Sequence, residues 1–206
     1  MGLQRSLPTA RVSLFMDIGQ GAGLAGSSGV RPFLPPLLAG ALARGNIGLD
    51  FSHTDFSFLE SVWWLVLLLA LAALSYALER RRPGAGASRP VELALGALGM
   101  AFGALLFAGS LADTGHTSWP GLIAGVACAL LGFAAVAGLV HRTRRRLDAS
   151  AAAFLSAYAD ITALALAGLA VLIPPISFVA LAAFVVLLVS GRRGQARKFE
   201  GLRILR

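Results

Sequence analysis

Residues 61–82 read SVWWLVLLLALAALSYALERRR, an uncharged Leu/Trp/Ala run that stops at Glu79 and the cluster Arg80-Arg81-Arg82. With residues 58–60 it supplies about the 20 residues that a helix needs to cross the apolar core of a bilayer. An apolar run that abuts an arginine cluster is the local form of the positive-inside pattern. The chain repeats that form. Apolar stretches at 93–112, 119–140, 149–172 and 176–191 alternate between connections with and without arginine. Arg89 belongs to the first basic connection, Arg142 and Arg144-Arg145-Arg146 to the second, and residues 192–206 form a basic tail.

This pattern predicts an all-α polytopic transmembrane bundle. Placing the basic connections in the cytoplasm puts 113–118 and 173–175 outside. The turn belongs near Ile173, because a residue before proline avoids the helical region and Pro174-Pro175 follows. Six crossings with both termini cytoplasmic bring nearly all Lys and Arg inside, in the inner membrane of a bacterium. Seven crossings with an outside N-terminus is the alternative. Composition agrees: 57% of 206 residues are hydrophobic, mean hydropathy is +0.76 and net charge is +8. Arginines that flank apolar runs with no polar domain around them point to membrane lipids with anionic headgroups, and away from nucleic acid. The single cysteine, Cys128, lies in an apolar run and excludes a disulfide framework.

Residues 12–43 depart from the simple pattern. They are too long for one straight span and short for two, and they hold Asp17, Gln20, Gly21, Gly23, Gly26, Gly29, Arg31, Pro32 and Pro35. That composition predicts a broken or re-entrant segment with its break between Gly26 and Pro32. Such a break needs protein or a polar cavity around it. A repeat is also visible. Pro35-Pro36-Leu37-Leu38-Ala39-Gly40 resembles Pro120-Gly121-Leu122-Ile123-Ala124-Gly125 at an offset of 85, the mark of a 3+3 inverted repeat or of chance in an Ala/Leu/Gly-rich chain.

Charges at membrane depth are costly and tend to be functional, so Asp17, Gln20, Arg31 and Asp160 are the candidate ion or substrate pathway. Arg31 keeps its charge and requires an acidic partner or water. Asp17 and Asp160 are the two candidates, for a transport site or a structural ion pair. Glycines and alanines four apart (Gly19/Gly23, Ala22/Gly26, Ala25/Gly29) admit close helix packing, or mark an unwound stretch facing a solute. The pairs Gly99/Gly103 and Gly121/Gly125 suit intrachain packing or a homodimer seam equally. The glycine run lacks the strand and the Gly-Lys-Ser/Thr of a phosphate loop. Two Asp-x-x-His pairs, Asp50/His53 and Asp113/His116, read as solvated loops rather than a metal site. No cofactor, metal or enzymatic constellation is expected.

The stretch from Gly21 through Gly29-Val30-Arg31-Pro32-Phe33-Leu34-Pro35 resembles the signature of a bacterial membrane family, domain of unknown function 4126. The resemblance is clear over residues 17–42 and weaker at Tyr158-Ala159-Asp160. It implies an integral membrane protein and no particular activity. The residues themselves point to a small transporter or channel for an ion or small polar solute. A scaffold, lipid-binding or accessory membrane protein is the alternative.

Overall fold

The glycine-rich segment is helical. In the computed structural model, which describes residues 7–81, 89–144 and 149–203 (side chains at 14–78, 90–140, 154 and 156–190), α1 runs unbroken from Leu7 to Val30. The chain then bends at Arg31, Pro32 and Phe33 before α2 (Leu34–Arg44). A 3-10 turn (Ser57–Glu60), α3 (Val62–Arg81), α4 (Arg89–Asp113), α5 (Trp119–Arg144), α6 (Ala149–Leu172) and α7 (Ile176–Arg203) follow, with no strand among the described residues. The break therefore falls at the proline end of the expected window. The unwound reading of the glycine run is wrong. Glycine costs about 1 kcal/mol per helical position, but here the packing around α1 outweighs that cost.

α1 is the axis of the bundle, in contact with α4, α5, α6 and α7. Its residues 19–29 are all buried. A Cβ on Gly99 of α4 would lie 2.6 Å from the carbonyl oxygen of Ser28, and one on Gly29 would overlap the Ala129 carbonyl of α5. A Cβ on Gly125 would lie 2.5 Å from the carbonyl oxygen of Gly103, so α4 and α5 meet backbone to backbone as well. Gly121 packs on Ala108 in the same seam. Both GxxxG pairs thus pack within the chain.

Helix direction follows from these contacts. Asp17 meets Thr114 in the α4–α5 turn, Gly19 lies against Pro174, and Phe15 stacks on Phe178 at 4.9 Å. α1 therefore enters at the end of the bundle that holds the 114–118 and 173–175 turns, whereas α7 leaves toward the opposite end. Among the described residues, the start of α1 and the end of α7 thus point to opposite ends of the bundle, which differs from the expectation that both termini share one side. The antiparallel packing of α1 on α4, with Ser28 beside Gly99 and Asp17 beside Ser110 and Thr114, sets this direction. Residues 1–6, 82–88, 145–148 and 204–206, which carry part of the basic clusters, lie outside the described residues.

By length and composition, Pro90–Asp113 and Trp119–Val140 can cross a membrane, while Val62–Leu78, Ser156–Leu172 and Ile176–Ser190 are shorter apolar helices. α6 ends at Leu172, one residue before the expected turn at Ile173. The repeated Pro-x-Leu-x-Ala-Gly pattern marks the first turn of α2 and of α5. Proline suits that position, where its missing N–H has no helical partner.

α2 sets the shape of the site. At 11 residues it is about 16 Å long, against about 37 Å for the 25-residue α4. α3 packs on α2 and on the 3-10 turn. A cavity of about 270 Å³ opens beside the break at Arg31–Leu34, between α3, α4 and α6.

The glycine contacts make a paired prediction. Gly29→Ala places a methyl group on rigid backbone and should destabilise the protein by roughly 1–3 kcal/mol in reversible unfolding. At Gly26 a Cβ meets the flexible ends of Leu181 and Phe184 at 3.4 Å and the Cys128 carbonyl oxygen at an ordinary 3.9 Å, so Gly26→Ala should be neutral or stabilising. Equal effects at both positions would contradict the seam described here.

Candidate functional site

Two polar clusters occupy the two ends of α1. The first is built on the break. Pro32 disfavours helical geometry at Arg31, so the helix stops while the Arg31 amide still donates to Ser27 O at 3.1 Å. Pro32, Pro35 and Pro36 carry no amide hydrogen, which lessens the number of donors that the turn would otherwise leave unpaired. The Arg31 side chain reaches α6. Its Nε lies 2.5 Å from Asp160 Oδ1, and its Nη2 donates to the carbonyl oxygen of Ser156 at 3.2 Å and to the Ser156 hydroxyl. Ser156 and Asp160 are four residues apart and so share one face of α6.

The pair is only partly shielded, with side chains 20% and 28% exposed, because it lines the cavity under α2. Pro32, Phe33 and Leu34 line it from the break, Leu69, Ala72, Ser75 and Tyr76 from α3, and Leu95 from α4. The result is a charged wall facing a largely hydrocarbon one. A guanidinium held, among the described residues, by Asp160 and Ser156 can bind an anion or a hydrogen-bond acceptor, and the apolar wall can take carbon.

The second cluster joins α1 to the turns. Asp17 Oδ2 accepts from the Thr114 hydroxyl at 2.8 Å and lies 3.8 Å from His116 Nδ1. Gln20 Nε2 donates to Gly48 O at 2.7 Å. Asp113 Oδ2 accepts from the Asp50 amide at 3.4 Å, and Glu60 Oε1 accepts from the Phe51 amide. Bonds from the hydroxyl and amide of Ser52 hold the Asp50 carboxyl below its ordinary range. These contacts pin the 45–56 loop over the end of the bundle, with Phe51 fully buried beneath it. Among the described residues no trio of His, Cys, Asp or Glu is arranged to hold a metal.

Of the candidate pathway residues, Arg31 and Asp160 come together. Asp17 and Gln20 do not join them, since Asp17 sits fourteen residues, about 21 Å along α1, from Arg31. The Arg31–Asp17 alternative is therefore excluded. Gly21, Gly23, Gly26 and Gly29 pack helices, and Pro32 and Pro35 shape the break. Sequence reasoning missed Ser156, Ser75, Tyr76 and Thr114. Only Ser156 carried a usable signal, its four-residue spacing from Asp160.

Among curated proteins and solved structures, no match to the chain was found. A family model described as a domain of unknown function, DUF4126, matches residues 18–193, which include the Arg31–Asp160 cluster, the break and every helix from α2 to α6. The chain belongs to the DUF4126 family.

Proposed function

We propose that this protein is a small transporter of the bacterial inner membrane whose solute site is the cavity beneath α2. The observation that carries the reading is the coincidence of three features at one place: a helix break, a half-buried ion pair, and a cavity of about 270 Å³. Discontinuous helices that expose a polar site at membrane depth are a recurring transporter device. An ion pair inside apolar surroundings is costly to maintain, which favours a functional role.

In this reading α3, α4, α5, α6 and α7 cross the membrane, and α1 with α2 forms a re-entrant helix pair that enters and returns on one side. The basic ends of α3, α5 and α7 face the cytoplasm and anionic headgroups. The 114–118 and 173–175 turns and the start of α1 face the other side. The tightly closed seam between α1, α4 and α5 supports a second reading, a rigid scaffold or lipid-binding protein in which Arg31–Asp160 only holds α6 to the break.

Two measurements separate the readings. In a Cys128→Ala background, Ala72→Cys or Ser75→Cys should react with a membrane-impermeant thiol reagent from the cytoplasmic side alone. A transported solute should protect it. Labelling from the opposite side, or none from either, would sink the transporter reading. Arg31→Ala and Asp160→Ala should each lower the melting temperature more than the double variant does, since each leaves one charge unmatched. A double variant that loses more than either single change would show that the pair is not what these residues contribute.

A further inference from the structure

We propose that the solute of the cavity beside the break is a membrane lipid, which enters sideways from the bilayer and lays an acyl chain along α3. This rests on the reading of the cavity as a solute site and of α3 as a spanning helix. The way α3 is held carries the argument. Among the described residues, α3 runs along α2 and the 3-10 turn and along no other helix. α2 is about 16 Å long and α3 about 30 Å, so α2 covers only half of it. That half is the first one, where Gly40 meets Leu65, and Phe33 and Leu37 pack with Leu68. Contact with α4 is made there by long side chains, with the rings of Trp64 and Phe102 centred 5.9 Å apart. The second half of α3 lines the cavity instead, through Leu69, Ala72, Ala73, Ser75 and Tyr76. These residues recur at three- and four-residue steps and so form one stripe of the helix. The stripe is outer surface as well: Leu69 is 57% and Tyr76 51% exposed. Residues that line a cavity and also lie on the outside mark the rim of an opening. Leu67, Leu74 and Leu78 on the same stretch are exposed too, so in the proposed orientation that opening faces hydrocarbon.

The interior suits a chain. The Ser75 hydroxyl donates to Ala72 O at 2.8 Å within its own helix, so this serine leaves the α3 wall close to pure carbon. Phe33, Leu34 and Leu95 continue that wall across the break and α4. On the remaining side Arg31 already donates to Asp160 and Ser156, so the charged residues can border hydrocarbon without a ligand to satisfy them. An apolar cavity of about 150 Å³ takes a benzene ring, and the 270 Å³ found here is room for an alkyl segment of several carbons. Leaving the wall bare would forfeit its dispersion contacts, and water gains few hydrogen bonds against carbon. An acyl chain already lying on Leu69 fills the space with no transfer out of water. A small polar solute on the same lateral route would first have to give up its hydration to hydrocarbon.

The test uses the full chain in nanodiscs of phosphatidylethanolamine and phosphatidylglycerol, doped with a phosphatidylethanolamine that carries a diazirine in mid-chain. Illumination releases dinitrogen and leaves a carbene, which inserts into a neighbouring C–H, N–H or O–H bond, and peptide mass spectrometry locates the adducts. The protein supplies its own controls. Leu67 and Leu74 are exposed and should be labelled, whereas Leu24 and Leu106 are buried and should not. Phe33 and Leu34 lie across the cavity from α3 and should be labelled as Leu74 is. Ala72→Phe fills the cavity, so it should abolish the label at Phe33 and Leu34 and leave that at Leu67 unchanged. Label at Phe33 and Leu34 no stronger than at Leu24 overturns the lipid assignment. Label there that survives in a folded Ala72→Phe protein overturns it too, since the chain would then arrive by another route. Should that variant fail to fold, the comparison of Phe33 and Leu34 with Leu24 and Leu74 in the native protein decides alone. Either negative result leaves the solute-site reading standing, because that reading is decided by labelling and protection of the cysteine at 72 or 75.

Discussion

The close approach of α1 to α4 and α5 is the constraint on which the rest of the structure depends. Backbone meets backbone at Ser28 and Gly99, at Gly29 and Ala129, and at Gly103 and Gly125. Dispersion contacts are individually weak, and they add up only where surfaces fit without gaps. Glycine permits that fit and at the same time weakens the helix that carries it. The cost is met because α1 is surrounded by four helices. Its serines add no further cost, since Ser27 and Ser28 donate to the carbonyl of Leu24 within the same helix.

A helix locked along its length has one place left to be irregular. α1 ends where Pro32 follows Arg31, and α2 starts with two prolines. The turn can return the chain only part of the way before Arg44 and the 45–56 loop. A cavity opens beside the turn, and the arginine at the turn reaches along it to α6. The cavity and the ion pair are two consequences of one local event. At the other end of α1, Asp17 and Gln20 serve to hold loops. They are polar for a structural reason, because buried carbonyls and amides there require partners.

The closed end and the open cavity are also separated along the axis. Between Gln20 and Arg31 the buried polar side chains of α1 itself are Ser27 and Ser28, and both are satisfied within the helix. A solute held at Arg31 would meet the packed glycine seam above it. Passage would then require α2 and the 45–56 loop to move against α1, since α1 itself has no slack. The bonds from Gln20, Asp113 and Glu60 to that loop are the contacts such a movement would break.

Much of this was legible in the residues. Apolar runs of about 20 residues, punctuated by arginine, fix an all-helical chain, because backbone groups in long apolar segments are satisfied most simply by helix. The prolines at 32 and 174–175 fix where helices stop, through steric effects that act on neighbouring residues. The need of Arg31 for an acidic partner was equally plain, since its charge cannot be discarded. The choice of Asp160 over Asp17 was not, because both lie at plausible spacing and only the antiparallel packing of α1 on α4 carries Asp17 to the far end. That packing also reversed the expected side of the N-terminal segment and kept the glycine run helical. Local propensity at glycine is worth about 1 kcal/mol per residue and is overridden where many contacts act together. The cavity left no sequence signal at all. It is a volume defined by where α2 ends relative to α3, α4 and α6, and that relation exists only in the folded chain.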